Sequence, residues 1–213
     1  MNQDIAKLRR DYLTAPLRRS HMDPDPLVEF QRWFASAIER EPHEANAMTL
    51  ATADAQGRPS ARIVLLKEVD RGGFVFFTHY ASRKGVELES NPQACLVFYW
   101  PDQHRQVRVE GRVERLEVEA SDAYFQSRPR GAQLGAWASQ QSRPVASRSE
   151  LDDLWASVQD RFPGQEVPRP AHWGGYRLMP SVVEFWQGRP DRNHDRIEYR
   201  LEGEGWQRSR LMP

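Results

Sequence analysis

Between Met48 and Glu117 the chain carries five runs of β-branched and aromatic residues, MTLATA, SARIVLLK, GFVFFTH, ACLVFYW and QVRVEGRVERLE. The turn-forming segments DAQGRP and DRGG join the first three, which predicts an antiparallel meander. In the last run Val107, Val109 and Val113 alternate with polar neighbours, the period of a strand with one buried face. A single short helix interrupts the series, running from Ser82 to about Ser90 and stopped by Asn91-Pro92.

Other helices fall outside this block. Asp25 as N-cap and Pro26 at the first helical position open an amphipathic helix with Leu27, Phe30, Phe34, Ala37 and Ile38 on one face. Residues 119–162 read as three helical segments. Ser147-x-x-Glu150 starts the last of them, with Leu151, Leu154, Trp155, Val158 and Phe162 on one side. After the Pro-rich link PGQEVPRPAHWGG, the runs VVEFWQG, RIEYRLEG and GWQRSRL predict terminal strands. Strands therefore seldom alternate singly with helices. A mainly β fold, an antiparallel Greek-key-like barrel with helices packed outside, is favoured over a doubly wound parallel sheet.

The 213 residues suit a single domain over 25–213, preceded by a polar segment 1–24 expected to act as a mobile N-terminal arm. Thirty Lys and Arg balance thirty Asp and Glu, so a chain-wide nucleic-acid or membrane-binding charge is absent. Any anion must be bound locally. Cys95 is the only cysteine; it excludes an intrachain disulfide and reads as a buried, inert thiol. With no apolar run near the roughly 20 residues of a membrane span and no signal-peptide core, a cytoplasmic location is expected. No P-loop, G-x-G-x-x-G, G-x-S-x-G or metal-ligand spacing occurs, so no metal site is expected.

Candidate chemistry concentrates in residues 60–88, which hold two of the three lysines, Lys67 and Lys84. If Ser82 caps the short helix, Arg83 and Lys84 occupy its first turn, where the helix dipole disfavours cations by about 0.3–1 kcal/mol each. A bound phosphate would offset this, as would a neighbouring carboxylate such as Glu87. Arg62 and Lys67 bracket IVLL; a regular strand would separate them by about 16 Å on opposite faces, so they serve different groups or simply reach water from a buried strand's ends. Further along, Arg192, His194 and Arg196 share one face if the segment is extended, and lie on a turn or charged edge otherwise. Tyr124 and Arg128, at i and i+4, can approach one ligand.

Taken in order, RIVLLK, SRK, QVRVEG, YFQSRPR, GAWASxQS, FWQG and RxHDR together resemble the pyridoxine phosphate oxidase family, from about Arg9 to the C-terminal RLMP. The resemblance implies an FMN-binding split barrel that forms a homodimer with FMN at the subunit interface. By matching position it assigns Arg62, Ile63, Val64, Leu65, Leu66, Lys67, Phe77, Thr78, Arg83, Lys84, Gln106, Gln141, Ser142, Trp186 and Arg196 to FMN. Lys67, Tyr124 and Arg128 are assigned to the substrate phosphate, Arg192 and His194 to the pyridine ring and the reacting carbon, and Arg9 and Tyr12 to an arm closing over substrate. Two positions depart from the family pattern. Ala132 stands where a serine usually joins the phosphate site, at a cost of about 0.5–1.5 kcal/mol, and Asn193 stands where leucine is common.

The activity so implied is oxidation of pyridoxine phosphate and pyridoxamine phosphate to pyridoxal phosphate, with dioxygen reduced to hydrogen peroxide. A flavin oxidase of phenazine-type metabolism would share the FMN residues and dispense with Lys67, Tyr124, Arg128, Arg192 and His194. A non-catalytic FMN-binding module would have no use for those five either.

Overall fold

The computed structural model describes residues 12, 14–70, 72–164 and 166–213. Helix α1, Pro26–Arg40, starts as its cap dictates: Asp25 Oδ1 accepts a 2.8 Å hydrogen bond from the Leu27 N–H. Its buried face runs Phe30, Trp33 and Ala37, whereas Ile38, expected on that face, is half exposed. The i, i+3, i+7 rotation fits the sheet better and puts the Phe30 ring against Phe74 and Phe98, with centroids 4.8 and 4.9 Å away.

Nine strands form one antiparallel sheet among the described residues: β1 Ala47–Ala53, β2 Pro59–Leu65, β3 Glu68–Asp70, β4 Gly73–His79, β5 Gln93–Trp100, β6 Arg105–Arg115, β7 Trp173–Gln187, β8 Asp195–Glu202 and β9 Gly205–Leu211. The meander expected of the first three runs is not what forms. β2 pairs with β1, the DRGG turn closes a small β3–β4 hairpin, and β4 crosses over to pair with β7. The chain breaks from β2 at Leu66, whose side chain enters the core and whose backbone bonds Asn46.

β7 organises the architecture. One edge pairs with β6 over 176–187; the other pairs with β4 over 173–178 and with β8 over 182–187. The changeover falls at Pro180, which lacks an N–H to donate, opposite a bulge between Glu110 and Gly111. The strand therefore begins at Trp173, inside what the sequence suggests is a link.

The inner sheet face and α1 enclose the main core, with Met48, Leu50, Leu96, Phe98, Val109 and Phe185 almost fully buried. A smaller core of Phe125, Leu134, Phe162, Val167 and Trp173 lies beneath α3 Val118–Ser127, α4 Arg130–Ala138 and α5 Arg148–Arg161. Helix α5 buries no residue fully; Leu151 and Leu154 of its apolar face are both 39% exposed.

On the outer face of the sheet one register row runs Ile63, Thr49, Val97, Arg108, Glu184, and the next runs Tyr99, Gln106, Trp186, Arg196, Leu211. Ile63 is 65% exposed and Tyr99 53%, so the run IVLL is not the buried strand its composition suggests. Cys95 shares this face and is half-buried, a correction to its expected full burial; burial pushes its thiol pKa up. Among the described residues no helix is long and apolar enough to cross a membrane.

Candidate functional site

The turn from β4 into α2, Arg83–Ser90, is built around Ser82. Its Oγ donates to the His79 carbonyl at 2.7 Å and accepts from the Gly85 N–H, capping the helix as the sequence suggests. Gly85 is required here, because a Cβ would lie 2.0 Å from the Tyr80 carbonyl oxygen. The two cations of the first turn meet different fates. Arg83 donates Nε to Glu87 Oε1 at 2.8 Å, one turn along the helix. Lys84 is buried, and its Nζ donates only to neutral groups, Gln141 Oε1 at 2.8 Å and Ser82 Oγ at 3.4 Å. Burial pushes the Lys84 pKa down, helped by repulsion from Arg62 and opposed by Glu87, to about 8.

Arg62 belongs to the same group. Its guanidinium donates to the Leu50 carbonyl, Thr52 Oγ1, Ser60 Oγ and Glu87 Oε2. Thr52 and Ser60 each donate a 2.5 Å bond to that same Glu87 oxygen. Burial alone would push the Glu87 carboxyl up, but hydrogen bonds from Ser60, Thr52 and Arg83 and the charge of Arg62 outweigh it and bring it down to about 2.

Beside Lys84 opens a cavity of about 590 Å³ walled by Ile63, Val64, Leu65 and Lys67, by Phe77, Thr78 and His79 at the end of β4, and by Tyr124, Arg128, Ala132, Gln141 and Trp173. Rings of Phe77 and Tyr124 stack at 3.8 Å and Trp173 continues the stack. Arg128 lies 4.4 Å over Trp173, and its buried Nη1 has no hydrogen-bond partner. Burial pushes its pKa down. A guanidinium N–H held from water without an acceptor is costly, and an anion in this cavity would relieve it.

Gln106, Trp186, Arg192, His194 and Arg196 line none of this cavity. They gather at the far end of β7: Trp186 faces Gln106 and Arg196 across the ladders, and the His194 ring is 4.7 Å from the Trp186 ring. The extended wall at 192, 194 and 196 is not formed. Pro190–Arg192 makes a 3-10 turn with Asp191 and Arg192 at positive φ, and β8 starts only at Asp195. Arg196 instead clamps the buried Glu184, with Nε 2.6 Å from Oε1, and Arg108 holds Oε2 at 2.6 Å. The Arg189 N–H donates to His194 Nδ1, and burial together with Arg192 pushes the His194 pKa down. Tyr12 packs on this cluster, 5.7 Å from the His194 ring and 5.9 Å from Trp186; Arg9 lies outside the described residues. Ser142 is exposed, at a φ of 74°.

The expected site residues thus form two groups. Trp186 stands four strands from β2, about 19 Å across the sheet, and thirteen residues of β7, about 40 Å, from Trp173. Sequence reading missed His79, Trp173, Thr52, Ser60 and Glu184. Of these only Thr52 carried a local signal, its place in a strand run beside other polar positions; the rest are defined by partners distant in the chain. Among the described residues no group of three or more His, Cys, Asp or Glu side chains could hold a metal ion.

Residues 34–161 match the family model described as pyridoxamine 5'-phosphate oxidase, and residues 173–213 match the pyridoxine 5'-phosphate oxidase C-terminal dimerisation region. Curated relatives named pyridoxine/pyridoxamine 5'-phosphate oxidase include one from Cyanothece sp., 54% identical over 100% of both chains. Another, from Rubrobacter xylanophilus, is 56% identical over 99% of this chain and 97% of its own. Among solved structures, PhzG from Burkholderia lata, in complex with tetrahydrophenazine-1-carboxylic acid, superposes with a TM-score of 0.89 at 31% identity, covering 96% of this chain and all of that one. An FMN-binding protein from Nostoc punctiforme shares the fold at a TM-score of 0.71 and 19% identity, over 90% of this chain and all of its own.

Proposed function

The chain belongs to the pyridoxine/pyridoxamine 5'-phosphate oxidase family, and from that membership we propose that it oxidises pyridoxine phosphate and pyridoxamine phosphate to pyridoxal phosphate, with FMN as cofactor and dioxygen as acceptor. The observation that carries this reading is the pair of cations in one cavity, Lys84 at the α2 terminus and Arg128 over Trp173, neither paired with a carboxylate. They suit two separate phosphates, one of cofactor and one of substrate. Donors Lys84, Thr78 and Gln141, the exposed edge of Ile63 and Leu65, and the α2 N–H groups fit FMN. Lys67, Tyr124 and Arg128 suit the substrate phosphate, with Ala132 supplying no hydroxyl there. Tetrahydrophenazine-1-carboxylic acid, the ligand of PhzG, carries no phosphate, so the presence of this set favours the phosphorylated vitamers over a phenazine substrate.

The second cluster belongs to the same site if a second copy supplies it. The matched dimerisation region and the exposed apolar side chains of Ile63, Leu65 and Tyr99 on that face support a homodimer whose outer sheet faces meet. Gln106, Trp186 and Arg196 would then complete the cofactor site of the partner, and Arg192 and His194 would approach the pyridine ring. Because His194 Nδ1 accepts from Arg189, the neutral imidazole keeps its proton on Nε2, where it can donate to the substituent on the reacting carbon. Tyr12 would cover this group from solvent. Bound FMN supplies the two-electron acceptor and returns the electrons to dioxygen, giving hydrogen peroxide.

Oxygen consumption by the purified protein, with each vitamer in phosphorylated and unphosphorylated form, tests the reading. Turnover should depend on the phosphate, and the protein should be yellow and release FMN on denaturation. A colourless protein that cannot be reconstituted with FMN would defeat it.

Lys84 makes a further expectation. Burial holds its pKa down to about 8, below the ordinary 10.5, so below pH 8 it is charged and ready to meet phosphate. FMN affinity of the apoprotein should hold up to about pH 8 and fall as pH rises beyond it, while riboflavin affinity stays level; a flat FMN profile to pH 9.5 would remove Lys84 from the phosphate contact.

A further inference from the structure

Glu87 lines neither the cavity nor the second cluster, yet it joins the two arginines beside the Lys84 turn, Arg62 and Arg83. It is 5% exposed and anchored by four donors from three elements: Thr52 of β1, Ser60 and Arg62 of β2, and Arg83 of its own helix. Its position one turn beyond Arg83 puts a negative charge between two arginines that would otherwise repel each other and Lys84.

We propose that Glu87 is the positioning residue of the cofactor-phosphate site: it holds Arg62 and Arg83 ordered before the ligand arrives, and so sets the affinity for the phosphate of FMN. This inference rests on the function proposed above. The two arginines are used differently. Arg62 spends both Nη groups on Leu50, Thr52, Ser60 and Glu87, so it contributes charge and holds Glu87 in place. Arg83 gives Glu87 only its Nε, and its side chain stays 63% exposed. Its outer guanidinium edge is therefore oriented but left open to an anion. A long, exposed arginine loses rotamer entropy when a ligand captures it, and an anchor at Nε removes much of that cost in advance.

Glu87→Gln tests this, because it keeps the side-chain volume and removes the charge. The readouts are dissociation constants of the apoprotein for FMN and for riboflavin, by flavin fluorescence quenching, with thermal melting of both proteins. FMN binding should weaken about tenfold and riboflavin binding should change less than about twofold. In an Arg83→Ala background, Glu87→Gln should add little. A role confined to the fold would weaken both flavins alike, and that result overturns the proposal. So does unchanged or tighter FMN binding, which would mean that the carboxylate merely competes with phosphate for the arginines. Should the variant fail to fold, Thr52→Val removes one hydroxyl from the carboxylate and keeps its charge; the same split between FMN and riboflavin is expected, and equal losses count against the idea. Wild-type apoprotein that binds neither flavin would instead overturn the function itself.

Discussion

Arg128→Ala is expected to lower kcat/KM for pyridoxine phosphate by about 100-fold while the protein stays folded and yellow. The guanidinium lies 4.4 Å over the Trp173 ring and keeps a buried N–H with no acceptor in the protein, so its free donor is reserved for something that enters the cavity. Charged hydrogen bonds contribute about 1.5–3 kcal/mol each, and 100-fold corresponds to about 2.7 kcal/mol, within reach of one or two of them. Removing the side chain should cost the substrate phosphate and leave FMN, which is assigned to Lys84 and Gln141 on the other wall. Unphosphorylated pyridoxine supplies the control, because its low turnover should be the same in variant and wild type. Arg128→Lys should recover part of the loss, since it restores charge without the planar fork. An Arg128→Ala enzyme with normal kinetics on the phosphorylated substrate, or one that sheds FMN, would show that the two cation sets are not divided as proposed.

Gly111→Ala should be severely damaging for a single added methyl group. A Cβ there would stand 1.9 Å from the Met179 carbonyl oxygen and 3.0 Å from the Pro180 Cα, and both are backbone atoms that no rotamer change can move. This is the point where β7 exchanges β4 for β8, so relief requires β6 and β7 to separate at their bulge. A loss of more than about 4 kcal/mol is expected, seen as insoluble expression or a collapsed urea midpoint. Gly203→Ala is the matched control: its φ of 61° strains any L-residue, but nothing lies within 4 Å of the new Cβ. It should cost about 1 kcal/mol. Equal stabilities of the two variants would mean that β6 and β7 part freely at this point.

The elements that were legible beforehand share one property: neighbours in sequence define them. The Asp25 cap, the Ser82 cap, the Ser147 cap with Glu150, and the alternation of Val107, Val109 and Val113 all came out in place, because each depends on residues within a turn or a strand pleat. Helix α1 was found but its rotation was not, since Trp33 and Ile38 are separated by what the sheet offers, not by the helix. The cavity was legible in part. Lys67, Lys84, Tyr124 and Arg128 do meet there, but Arg62 and Arg83 turn toward Glu87, and Trp173, whose ring supports Arg128, carried no mark of its role.

By itself the sequence determined that this is a mainly β chain with capped helices at known places, and the order of its motifs pointed to its family. Which strands pair was decided only by the tertiary structure, because ladders join residues far apart and any two apolar strands of like length satisfy the same pattern. Hence β2 leaves the meander, β7 takes three partners, and the rows that hold Ile63 and Tyr99 turn outward. Likewise only the folded chain could separate Lys84 and Arg128 from Trp186 and His194, at opposite ends of one fifteen-residue strand. That distance is a property of strand geometry, and it is what the proposed second copy of the chain would bridge.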